Sequence, residues 1–169
     1  MTKQKLTIPQ NFDIEEKVAE AQAYFKTGYN CCQSVIMAYS DIIGLDKDIA
    51  ATISSGFGGG MGRLREVCGS VSGMFLIAGF ISPATNPLNR DERTENYALI
   101  QNLASQFKEI NGSIVCKELL GISKQESPVP SERNAEYYKK RPCAEYVGIS
   151  ARLIGQAIVK ASEKPSVSE

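Results

Sequence analysis

The stretch EVCGSVSGMFLIAGFI, residues 66–81, decides how this 169-residue chain is read. Its apolar run is continuous rather than alternating, which reads as a buried helix. Gly69, Gly73 and Gly79 count against a helix, because glycine loses the most backbone freedom there. The rest of the chain supports it: few segments alternate with period two, and dipeptides that favour hairpins are scarce.

Upstream, Ile14, Val18, Ala21 and Phe25 recur at helical spacing behind Asp13, a good N-cap, and Gly28 stops that helix. Asn30 caps a second helix whose inner face carries Val35, Ile36, Tyr39, Ile42 and Ile43, ended by Gly44. Asp46 opens a shorter one through Ile53. GFGGGMG, residues 56–62, suits no regular element and forms a glycine-rich loop. Downstream, 91–110 is an amphipathic helix with Ile100, Leu103, Phe107 and Ile110 along its inner stripe. Ser113 caps a short helix carrying VCKELL up to Gly121. Pro128 and Pro130 make 122–140 a loop. Pro142 fits the first position of a closing helix with Val147, Ala151, Ile154 and Ile158 inward. The expectation is an all-α, single-domain helical bundle over 1–169, with 1–11 and 165–169 as frayed ends.

Composition narrows the function. Lys+Arg and Asp+Glu balance at 19 each, so no charge excess points to nucleic acid or an anionic membrane. MFLIAGFI, residues 74–81, is far short of the ~20 apolar residues that span a bilayer. The first residues lack a secretory signal, so a cytoplasmic protein with reduced thiols is expected. The chain has no histidine. That excludes a Ser–His–Asp triad, a Cys–His nucleophile, histidine-bound zinc and c-type haem attachment. No C-x-x-C occurs, so neither a thioredoxin site nor a paired zinc knuckle is present.

Five cysteines remain. Cys31 follows the Asn30 cap, Cys68 follows the glycine loop, Cys116 follows Ser113 and Cys143 follows Pro142. Four of them therefore fall at the starts of four expected helices, where unpaired N–H groups and the helix dipole favour a thiolate. Cys32 is the odd one out. Successive helical residues point about 100° apart, so it packs elsewhere when Cys31 faces a site. The competing reading is that all five fill the core as small hydrophobes. The glycine loop is no phosphate cradle, since neither G-x-G-x-x-G nor G-x-x-x-x-G-K-[ST] can be registered on it. Glu66, Asp91 and Glu92 read as caps and solvated faces. Tyr137 and Tyr138 read as loop residues packing on the bundle.

GYNCCQSV, GFGGGMGRLREVCGSVSG, CKELLG and RPCAEYV, taken in order, resemble the redox-active protein family named for its motif, C_GCAxxG_C_C. Cys31, Cys68, Cys116 and Cys143 fall on its four cysteines, and Gly69 and Gly73 on its glycines. Ser70 stands where the motif has alanine, and Cys32 where a small residue is usual. The family is also similar to the helical N-terminal part of split-Soret cytochromes, for which an iron–sulfur site has been proposed.

Three functions stay open. In the first, Cys31, Cys68, Cys116 and Cys143 ligate an iron–sulfur cluster, [2Fe–2S] rather than [4Fe–4S], for electron transfer or redox sensing. Gly58, Gly59, Gly60 and Gly69 would then lie against the cofactor, and Arg63 would tune it. In the second, the same thiols work without metal as a thiol–disulfide oxidoreductase or sensor. In the third, the protein is a structural or binding module. The expected partner is a redox protein, not nucleic acid or membrane. Whether the chain forms a homodimer is left open.

Overall fold

The computed structural model describes residues 6–124 and 126–163. In chain order these form α1 (Ile14–Lys26), α2 (Cys31–Ala38), α3 (Ser40–Ile43) and α4 (Lys47–Ser54). A 3₁₀ turn (Ser55–Phe57) and a single distorted turn α5 (Gly58–Met61) follow. The rest are α6 (Gly69–Ile81), α7 (Arg90–Asn111), α8 (Cys116–Leu120), α9 (Ala135–Lys140) and α10 (Cys143–Ser162). The all-α expectation holds: no strand occurs among the described residues, only an isolated antiparallel bridge between Val67 and Val115. None of their helices is long and apolar enough to cross a membrane.

The 66–81 stretch does form a helix, and α6 lies at the centre, packed on α2, α7 and α10, with α1 closing over α2 and α10. A helix apolar on every side needs neighbours on every side. Val71, Met74, Ile77 and Ala78 are fully buried. Two of the three glycines that weakened the helical reading are there for contact. A Cβ on Gly69 would lie 2.8 Å from Phe57 O and 3.4 Å from Cys31 Cβ. One on Gly73 would lie 2.9 Å from Cys32 O and 3.0 Å from Val35 Cβ. The missing side chains let α6 meet α2 backbone to backbone. Gly79 faces open space and has no such role.

Several boundaries differ from expectation for local reasons. The helix expected from Asn30 to Gly44 breaks at Tyr39 (φ −108, ψ 7), a fully buried residue whose hydroxyl donates to Ala151 O on α10 at 2.7 Å. Within the expected loop 122–140, the Asn134 side chain caps the Tyr137 N–H and starts α9. Pro142 is the N-cap of α10, not its first helical residue. Val115, not Ser113, is the N-cap of α8. Leu103 and Phe107 are buried as expected on α7, but Ile110 is 59% exposed. Leu6, Ile8 and Phe12 pack against the core, and Thr7 N–H donates to Ile42 O at 2.9 Å. The tail expected to fray, 165–169, lies outside the described residues, as do residues 1–5.

Gly73→Ala should cost about 2–3 kcal/mol, because the new methyl meets backbone rather than a movable side chain. Gly79→Ala should be neutral or slightly stabilising. Urea unfolding of the two variants, read by circular dichroism, checks the pair.

Candidate functional site

Each of the four cysteines at a helix start is placed by its own local device. Asn30 accepts from the N–H groups of Cys32 and Gln33, while Gln33 Oε1 accepts from Asn30 N–H, a capping box that makes Cys31 the first residue of α2. Asn30 Nδ2 also donates to Ser55 O, tying this helix start to the glycine turn. Cys68 is the N-cap of α6. Its N–H donates to Ile114 O at 2.8 Å, and Cys116 N–H donates to Glu66 O at 2.6 Å. These two bonds flank the Val67–Val115 bridge and bring Cys68 beside Cys116, the first residue of α8. Cys143 begins α10. There Gln22 Nε2 of α1 donates to Ala144 O, in the space left by Gly148.

The result is one cavity of about 370 Å³ lined by Cys31, Cys68, Cys116 and Cys143. Cys32 is fully buried and does not line it. Of the glycines expected against a cofactor, Gly58 and Gly59 line the cavity. Gly60 does not, but lies beneath Cys116, where a Cβ would come within 2.7 Å of Cys116 Cβ. Gly69 sits behind Cys31. Among the described residues, no three side chains of Cys, Asp and Glu stand close enough to hold one metal ion.

Between Gly59 and Arg63 the chain follows a left-handed turn, with φ near +60 to +69 at Gly59, Gly60, Met61, Gly62 and Arg63, and again at Arg65. Glycine takes this conformation freely, whereas Met61, Arg63 and Arg65 do so at a cost of about 1–2 kcal/mol each. The Arg65 and Glu66 N–H groups close the turn on Gly59 O and Gly60 O.

The turn delivers arginines. Arg65, 5% exposed, points Nη1 at Cys116 Sγ (3.7 Å) and ion-pairs with Glu126. Arg63, the arginine singled out from the sequence, lines the cavity. Its Nε donates to Ser127 O at 2.9 Å, and Nη2 lies 3.4 Å from Glu126. Arg141 approaches Glu126 at 3.9 Å and stacks on Tyr137. Arg133 donates to Tyr29 O at 2.7 Å and lies over the Phe25 ring. These four arginines line the cavity, and no carboxylate is among the described residues that do. Glu126 works from behind, fastening the 126–131 segment to three guanidinium groups. Tyr137 also lines the cavity, a role its place in the sequence did not suggest. Glu126 and Tyr137 are the residues that sequence reasoning missed, since only folding brings 63, 126, 137 and 141 together.

Burial overrides the helix starts. It pushes the Cys68 and Cys143 thiols up to about 12, and raises Cys116 against the opposing pull of Arg65. A thiol whose folded value lies above its ordinary 9.0 keeps its proton through the alkaline range. It therefore adds stability that is fully present below about pH 9 and lost as pH rises through about 12.

Two measurements follow. The metal-free protein should show stability unaffected by these thiols at pH 7–8 and falling progressively from pH 9 to 12 in denaturant titrations. Glu126→Gln should cost about 1–2 kcal/mol and speed amide exchange in residues 126–133, because one buried and two half-buried guanidinium groups lose their shared anion.

No curated protein and no solved structure matches the chain. A family model described as "Putative redox-active protein (C_GCAxxG_C_C)" matches residues 29–157, the span that runs from Tyr29 through all four cavity cysteines into α10. The chain belongs to that C_GCAxxG_C_C family.

Proposed function

We propose that Cys31, Cys68, Cys116 and Cys143 together hold an iron–sulfur cluster, of the [2Fe–2S] type, with which the protein transfers electrons or senses redox state. The observation that carries this is the cavity itself: four thiols from four helix starts, four arginines, and no carboxylate on the described part of the wall.

The donor set fits. Soft thiolates select iron–sulfur clusters and zinc, and Cys₄ is the usual ligation of the former. A single zinc ion would need every sulfur within about 2.3 Å of one point. Among the described residues no three of these side chains are gathered in that way. A bound cluster supplies one-electron chemistry that no side chain here possesses. The protein's part is to hold and balance it. Arg65 donates to the sulfur of Cys116, and Arg63, Arg133 and Arg141 on the cavity wall would balance the net negative charge of a cluster held by four thiolates. Gly58 and Gly59 put backbone without side chains on the cavity wall, while Gly60 and Gly69 leave the room their neighbours need. A one-electron redox protein is the partner this reading requires.

Metal-free thiol catalysis is less well supported. An attacking cysteine needs a thiolate near neutral pH, whereas burial holds Cys68, Cys116 and Cys143 protonated. Core filling does not suit Cys31 and Cys143, which are only partly buried on an open cavity.

Anaerobic reconstitution with iron and sulfide should give a brown protein with two iron and two sulfide per chain. Any one of the four Cys→Ser changes should remove most of that iron, whereas Cys32→Ala should leave it unchanged. A colourless protein after reconstitution would sink this reading. One thiol alkylating rapidly at pH 6 would then select thiol–disulfide chemistry instead.

A further inference from the structure

Five of the six buried serines among the described residues fall into two groups. Ser34, Ser54 and Ser72 each hand the hydroxyl proton to the carbonyl one turn back, on Asn30, Ala50 and Cys68, the usual behaviour of serine inside a helix. Ser70 on α6 and Ser150 on α10, both with no solvent exposure, bond differently. Ser150 Oγ lies 3.1 Å from Ser70 Oγ, and Ser70 Oγ lies 3.3 Å from Cys68 Sγ.

We propose that Ser150 and Ser70 form a hydroxyl relay that ends on the Cys68 sulfur and, by withdrawing charge from it, raises the reduction potential of the centre. The second half rests on the iron–sulfur reading above. A ligating sulfur carries no proton, so Ser70 must be the donor in the Ser70–Cys68 contact. With its own proton committed, Ser70 can only accept from Ser150. Both bonds then point the same way, and each polarises the next. Hydrogen bonds to an anionic acceptor are the strong ones. Reduction adds charge to the sulfur, so the bond favours the reduced state and lifts the potential. In that change one electron arrives from an external one-electron reductant, no bond breaks, and Ser70 keeps its proton. The motif's alanine at this position cannot donate, so the relay distinguishes this chain from the pattern of its family. Both serines are positioning residues, acting through Cys68.

The test uses Ser70→Ala and Ser150→Ala, with Ser72→Ala as the control, a buried serine on the same helix that reaches the Cys68 carbonyl rather than its sulfur. On metal-free protein, the infrared S–H stretch lost in Cys68→Ala identifies that thiol. It should move in Ser70→Ala and stay put in Ser72→Ala. On reconstituted protein titrated with dithionite, Ser70→Ala should favour the oxidised form about tenfold at a fixed potential, about 59 mV more negative for a one-electron couple. Ser150→Ala should shift it less in the same direction, and Ser72→Ala not at all. An unmoved S–H band in Ser70→Ala overturns the relay. A moved band with an unchanged potential, or an equal shift in Ser72→Ala, overturns the tuning. A wild-type protein that takes up no iron overturns the tuning together with the cluster, and the infrared result then judges the relay alone.

Discussion

The site depends on the close approach of α6 to α2, which two absent side chains permit. Gly69 and Gly73 lie one helical turn apart on the face of α6 that meets Cys31, Cys32 and Val35. With ordinary residues there, the axes would stand further apart and Cys31 would move away from Cys68. Helix-forming preference is given up at two positions for that contact, at about 1 kcal/mol each. The apolar remainder of the helix, buried against α7 and α10 as well, more than offsets it.

The rest of the cavity is assembled around that contact by short pairings. The Val67–Val115 bridge sets Cys116 beside Cys68, and the left-handed turn at 59–63 aims two arginines into the same space. Positive charge and thiols are concentrated together behind a wall that admits no described carboxylate. Burial and helix polarity then act on the sulfurs in opposite directions. For Cys68, Cys116 and Cys143 desolvation is the larger effect, so a helix start marks where a cysteine sits and does not by itself make it reactive.

Much of this was legible in the residues. Caps at Asp13, Asn30 and Asp46, and glycines after the helices at Gly28, Gly44 and Gly121, were readable because capping is local chemistry. The same locality explains the misses. Tyr39 ends its helix where its side chain is held by Ala151, more than a hundred residues away. Ile110 fits the apolar stripe of α7 yet faces solvent, since which part of a stripe is covered depends on the neighbours that packing supplies. Ser70, standing where the motif has alanine, carries no local sign of a role, because Ser150 and the Cys68 sulfur become its neighbours only after folding.

The sequence by itself determined an all-helical chain without imidazole chemistry, and put four cysteines at four helix starts. Those are matters of spacing, composition and local hydrogen bonding. Tertiary structure alone decided that the four share one cavity, that Arg65 rather than Arg63 reaches a sulfur, and that Glu126 ties three arginines together. The physical reason is distance along the chain. Helix periodicity and capping act over a few residues, whereas the positions that meet at the cavity are separated by tens of residues and are joined only by packing.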